Sequence, residues 1–301
     1  MTALPLPTAD GEVVVPAPGR GPGHWAGAPS ATRDDDGTVW LAYRLRRPVG
    51  GGRGVEVVVA RSDDGRAFQP VASIGREAFG AASLERPALV LRPDGGWRLY
   101  LSCATPGSKH WWVESLDADS PPALPEGRRT VVRPGSRDVG VKDPVVLLDD
   151  DGWWMWLCCH PLDEPGQEDR MTTRLLRSDD GLAWTDLGEV LRGTAGSWDA
   201  RGARVTAVLS RDPVVAVYDG RASVQENWFE RTGVARSRDG SPTLVADDGG
   251  PAASAPHGDG ALRYATAVAL PDGGLRWYAE VAHADGSHDL ITSISPNPGE
   301  T

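Results

Sequence analysis

The chain has 301 residues, a formal net charge of −11 and 40% hydrophobic residues, enough apolar material for a sizeable core. An acidic balance of this size argues against nucleic acid or an anionic membrane as the main partner. No apolar run approaches the ~20 residues that cross a bilayer, and glycine (37) and proline (25) are scattered, as in a turn-rich folded protein.

The opening segment, MTALPLPTADGE, lacks the basic and apolar regions of a secretory signal, so a cytoplasmic location is expected. A repeat of about 58 residues then runs through the chain. Each copy is an apolar run, a tight turn and an aromatic strand: PSATRDDDGTVWLAY from Pro29, PALVLRPDGGWRLY from Pro87 and PVVLLDDDGWWMW from Pro144. RVTAVLSRDPVVAVY from Arg204 and ATAVALPDGGLRWY from Ala265 complete the series. Asp-Gly between two β-favouring runs is a strong hairpin signal. A second marker follows in SDDGRAF at Ser62, SDDGLAW at Ser178 and SRDGSPT at Ser237, with a weaker SLD at Ser115. These are expected between the third and fourth strands of each unit.

Four strands per copy predict an all-β fold, a five-bladed β-propeller of antiparallel blades forming a single domain over 1–301. The blades fall at about 22–80, 81–137, 138–197, 198–254 and 255–301. The last is completed by 11–16, because Glu12-Val13-Val14-Val15 can supply the missing strand and close the ring. Cys103, Cys158 and Cys159 lie in apolar runs and are expected as buried free thiols. No metal-ligand spacing is present, and no cofactor is expected.

These blade motifs resemble the five-bladed superfamily of glycoside hydrolases, including families 43, 32 and 130. GVKDPVVLLDDDGWWMW resembles the family-43 segment whose Asp tunes the general acid, a role that would fall to Asp143. LERPALVLRPDGGWRLY resembles the Glu-Arg-Pro openings of family 130, and TGVARSRDG the family's third-strand ending. The resemblance implies a carbohydrate or glycoconjugate as partner. Two acids are missing from its pattern: Gly27-Ala28-Pro29 stands where the general base belongs, and Arg201-Gly202-Ala203-Arg204 where Glu-Gly-Pro carries the general acid.

The repeat also predicts which side chains ring the axis. Ala28, Arg86, Asp143, Ala203 and Tyr264 precede the copies, and Gly27, Glu85, Lys142, Gly202 and Arg263 lie one residue earlier. Side chains alternate along a strand, so Glu85 and Arg86 need not pair. The ends of the second strands bring Arg44, His160, Asp219 and Glu280 to the same mouth. Glu85 or Glu280 is the expected acid, with Asp143 tuning it and Asp199 as base. Arg86, Lys142, Arg204 and Arg263 can pair with these acids or hold an anion. His24 and Trp25 are further pocket candidates. Trp111, Trp112, Trp198 and Trp228 lie at loop or strand margins, where indoles stack on sugars or pack the rim. His283 and His288 are expected in solvent, and the loop around Glu226 and Asn227 towards the opposite rim. A divergent glycosidase, a non-catalytic carbohydrate-binding propeller and a protein-interaction scaffold all fit this sequence; the oligomeric state is left open.

Overall fold

The computed structural model describes residues 4–238 and 240–297. Asp239 of the Ser237 marker and residues 298–301 lie outside them. The fold is all-β, with short 3-10 turns as its only helical pieces among the described residues. No helix is long and apolar enough to cross a membrane.

After β1 (Glu12–Val15), each sequence copy forms an antiparallel four-strand set or most of one. The first comprises β2 (Trp25–Arg33), β3 (Val39–Arg46), β4 (Gly54–Ser62) and β5 (Gln69–Gly75). The second comprises β6 (Ala88–Leu91), β7 (Trp97–Ala104), β8 (Trp111–Ala118) and β9 (Arg128–Arg133). The third comprises β10 (Val139–Asp149), β11 (Gly152–Pro161), β12 (Thr172–Ser178) and β13 (Thr185–Arg192). The fourth comprises β14 (Gly202–Arg211), β15 (Val214–Arg221), β16 (Arg231–Ser237) and β17 (Leu244–Ala246). The chain ends on β18 (Leu262–Ala269), β19 (Leu275–Ala282) and β20 (His288–Ser295).

β6–β9, β10–β13 and β14–β17 are separate sheets, while the remaining strands run β18-β19-β20-β2-β3-β4-β5, with β1 paired to β20. A single parallel bridge, Trp25 to His288, joins β2 to β20. Glu12 lies opposite Thr292, and Val13 opposite Ile291.

Apolar side chains fill the spaces between successive sets. Leu41, Tyr43 and Val58 pack against Tyr278 and Leu290, and Val57, Val59 and Ile74 against Leu89, Leu99 and Leu101. Tyr100 and Val113 meet Trp153 and Met155; Trp156 and Leu175 meet Val205 and Tyr218; Val217 meets Trp277 and Ile291. Strands buried on both faces carry apolar residues at consecutive positions, which explains why runs such as TrpTrpMetTrp do not alternate. Cys103, Cys158 and Cys159 are buried and free.

The Ser-Asp-Asp-Gly markers are side-chain-knotted turns between third and fourth strands. Gly65 N–H donates to Ser62 Oγ (2.9 Å), and Asp64 Oδ1 accepts from the Arg66 and Ala67 amides (2.8 and 2.9 Å). Ser178 and Asp180 repeat the pattern with Gly181, Leu182 and Ala183. Both glycines sit at φ 70, where a side chain is strained. A neighbouring tyrosine fastens each turn: Tyr278 OH donates to Gly65 O (2.9 Å) and Tyr100 OH to Gly181 O (2.7 Å). The weaker marker is different. Ser115 lies inside β8, and Asp117 is ion-paired to Arg98 (2.6 Å) rather than shaping a turn; the chain reverses later, through Pro121–Glu126.

If the two tyrosine joints are equivalent, Tyr100→Phe and Tyr278→Phe should each cost roughly 1 kcal/mol through the lost hydrogen bond, although Gly181 O keeps a second donor in Trp184 Nε1 (3.0 Å). Urea unfolding of both variants checks this; a loss at one joint only would show them to be unlike.

Candidate functional site

Three first strands of their sets enter the mouth through the same irregularity. The register of β2 breaks between Gly27 and Ser30, that of β10 between Lys142 and Val145, and that of β18 between Arg263 and Thr266. Ala28, Asp143 and Tyr264 occupy the corresponding positions with φ of 51, 53 and 54. A non-glycine residue held there costs roughly 1–3 kcal/mol, and such bulges re-aim side chains next to sites. At the mouth end, Lys142, Arg263, Tyr264 and Glu85 line a small cavity, together with Arg44, Arg204 and His160.

The carboxylates here are bound into chains with guanidiniums. Arg44 donates to Glu85 and to Glu280 (2.7 Å to the latter). Arg263 holds Glu280 through two nitrogens (3.0 and 2.7 Å) and Glu230 through a third (2.6 Å), and Arg221 takes the other Glu230 oxygen (2.5 Å). Arg204 bridges Asp143 (2.8 Å) and Asp219 (2.5 Å), Tyr264 OH accepts from Arg204 (3.0 Å), and Lys142 Nζ is 3.3 Å from Asp143. Glu85, Asp143, Asp219, Glu230 and Glu280 are all buried.

Burial alone would raise these acids; the facing cations decide otherwise. For Glu85, burial pushes up, but Arg44, then Lys142, Arg46 and Arg53, pull it down to about 2. Burial is likewise overcome at Asp143 by Lys142 and Arg204, at Glu280 by Arg263 and Arg44, and at Glu230 by Arg263 and Arg221. Asp219 is the exception. Its burial outweighs Arg204 and leaves it raised to about 6. His160 is lowered to about 3, by burial first and then Lys142; neutral, it donates from Nδ1 to Glu168 O (2.9 Å).

Aromatic side chains roof this chemistry. Trp25, 2% exposed, stacks on His288 at 4.5 Å, with Arg263 over its ring at 4.7 Å. The Arg46 guanidinium lies 4.0 Å from the Trp25 ring and 4.8 Å from that of Trp228. Trp228 itself is 40% exposed at φ 84. The cavity between these side chains is small, about 40 Å³.

Not all expected residues meet here. Arg86 turns away: its Nε donates to Pro29 O (3.2 Å) and Nη2 to Thr206 O (2.6 Å), and it lines a separate 850 Å³ cavity walled by β2, β6, β10, β14 and β18. Asp199 is buried outside the mouth lining, accepting from Tyr218 OH (2.9 Å) and Thr194 N (3.1 Å). His24 is half-buried, its ring against Gly19 and likewise outside that lining.

Two positional expectations are corrected. His288 is fully buried rather than solvated, its Nδ1 2.8 Å from Glu280, because β20 pairs beside β19 and carries it under Trp25. The segment after β15 lies at this mouth, not the opposite rim: Asn227, Trp228 and Glu230 line the cavity, since a second strand returns the chain to where the first began. Arg221 and Trp228 reach the mouth as the sequence led one to expect, whereas Arg46, Arg53 and Glu230 line it unanticipated. The alternation of Arg44 and Arg46 along β3 was the available signal.

Glu85 supplies a pH test. A lowered carboxyl stabilises the fold above its unfolded value of 4.5, and that contribution is lost as pH falls towards 2. Wild type should therefore lose about 3 kcal/mol more than Glu85→Gln across this window, measured by urea unfolding at successive pH values. Equal acid sensitivity would show that Glu85 is not held ionised.

No family model matches the chain, and no curated protein is similar to it. Solved structures are similar in fold. A thermostable family-43 glycoside hydrolase superposes with TM-score 0.71 at 13% identity, covering 94% of this chain and 91% of that one. A glycosyl hydrolase from Bacteroides ovatus gives 0.67 at 15% identity over 98% and 96%. The β-1,2-mannobiose phosphorylase of Listeria innocua gives 0.64 at 12% identity over 92% and 90%. These superpositions show that the chain shares its all-β fold with these glycoside hydrolases and this phosphorylase.

Proposed function

We propose that five blades, with β1 completing the last, close into one propeller whose charged mouth binds a small or decorated carbohydrate without cleaving it. The matching joints Tyr100–Gly181 and Tyr278–Gly65 support the ring, because the second would link the last blade to the first as the first joint links two consecutive blades. Carbohydrate recognition is supported by polar groups converging beneath indole faces, a combination suited to sugar rings.

One observation carries the preference for binding over cleavage: the mouth carboxylates are locked to guanidiniums. Glycoside cleavage needs one carboxyl that keeps a proton and a second free to activate water or attack carbon, separated by roughly 5–9.5 Å. Here Arg44 fills the gap between Glu85 and Glu280, and Arg204 that between Asp143 and Asp219. Ala28 brings no acid to the first bulge. Glu85, Glu280 and Asp143 are thus recognition and scaffold groups in this reading, with Lys142, His160, Tyr264, Arg204 and Arg263 around the ligand.

A glycosidase is the second reading, favoured by Asp219 alone. A carboxyl raised to about 6 beside an ionised Asp143 has the protonation a general acid needs. Titration against a panel of pentoses, hexoses and their methyl glycosides, alongside nitrophenyl glycosides as substrates, separates the two. Binding without turnover is expected. Turnover abolished by Asp219→Asn and Asp143→Asn would establish the glycosidase, and absence of any sugar binding would remove both.

Entry to the mouth passes the partly exposed Trp228 in this reading. Trp228, exposed and held at positive φ, is the movable cover. Trp228→Ala should raise the association rate for a bound sugar about threefold or more, measured by stopped-flow fluorescence. An unchanged rate would mean that entry does not pass Trp228.

A further inference from the structure

Arg46 is the one cation of the mouth left over. Seven cationic side chains line the cavity, and the carboxylates that reach them engage the other six. Arg44, Arg204, Arg221, Arg263 and Lys142 contact acids at 3.3 Å or less, and Arg53 stands 3.9 Å from Glu85. Among the described residues no carboxylate comes within 4.0 Å of Arg46. It is 2% exposed, and its Nη2 has no hydrogen-bond partner.

A buried guanidinium with no carboxylate in contact is costly, and the more distant pull of Glu85 together with the two flanking indoles recovers only part of that cost. Indole faces also leave the in-plane N–H groups unanswered, and those are the groups that bind oxyanions. Burial, the largest influence on it, lowers Arg46 to about 10, so it remains cationic at neutral pH. The local excess of positive charge is set against a chain whose net charge is −11. It therefore belongs to this mouth and not to the overall composition.

We propose that the mouth takes an acidic sugar, whose carboxylate or sulfate ester docks on the unpartnered edge of Arg46. This rests on the reading of the mouth as a carbohydrate site. Arg53 and Lys142, both over the Trp111 ring (5.4 and 4.9 Å), stand at the same cavity as auxiliary cations. Trp25 and Trp228 meet edge to face, 6.1 Å apart at 67°, and flank the guanidinium on two adjacent sides, so the oxyanion reaches its free edge past the exposed Trp228.

The test is calorimetric titration at constant ionic strength with glucuronate, galacturonate, mannuronate and glucose 6-sulfate, each paired with its neutral hexose, and with inorganic sulfate and phosphate. At least one acidic sugar should bind tenfold or more tightly than its neutral partner. Arg46→Gln should erase that preference, read as the ratio of acidic- to neutral-sugar affinity within the same variant, and Arg46→Lys, which keeps the charge but not the fork, should retain part of it. Far-ultraviolet circular dichroism and melting temperature establish that both variants fold; were Arg46→Gln unfolded, Arg46→Lys carries the comparison, with an unaltered preference counting against the proposal. Neutral sugars binding as tightly as acidic ones in wild type would overturn the inference and leave the carbohydrate reading standing. Inorganic sulfate or phosphate binding as tightly as any acidic sugar would also overturn it, by showing a free-anion seat. No sugar binding of either kind would overturn the carbohydrate reading with it.

Discussion

The structure of this mouth depends on one arrangement: buried carboxylates and guanidiniums alternating in chains. From Glu85 the path runs through Arg44, Glu280, Arg263 and Glu230 to Arg221. Its members come from β3, β15, β18 and β19 and from the segments that lead into β6 and β16. Each charge loses water on folding, a loss that only close, multiply hydrogen-bonded partners offset. Because most members touch two partners, removing one strands another, and the mouth behaves as a unit.

That arrangement has a chemical consequence. A carboxylate between two cations is a fixed negative charge, well suited to orienting hydroxyl groups and poorly suited to delivering a proton. Fold similarity to glycoside hydrolases says nothing about this balance, since function lives in the site rather than in the architecture. The similarity shows how the side chains are gathered; the pairing shows what protonation state they keep. Asp219, least compensated of the buried acids, is where the two considerations diverge.

The crowding above the network follows from the same geometry. Trp25 enters on β2 and itself forms the parallel bridge to His288 of β20, which it meets face to face. Arg46, two residues beyond Arg44 on β3, points to the same side and lies in the corner formed by Trp25 and Trp228. Arg44 reaches acids on two other segments, whereas Arg46 lies against indoles with no carboxylate in contact.

The repeat, the hairpins and the Ser-Asp-Asp-Gly turns were legible in the amino-acid order because they are local: period, turn residue and strand composition act over a few positions. The gathering of Glu85, Asp143, Glu280 and Arg263 at one end followed from equivalence between copies. What the order of residues could not express was partnership across the axis. Asp117 resembled a turn residue until Arg98 claimed it, His288 beside a turn resembled a solvated side chain, and Arg46 was one arginine among many. Burial and charge pairing are properties of neighbours brought together from distant copies, so only tertiary structure decided which acids are ionised, which indole covers the mouth and which cation was left without a partner.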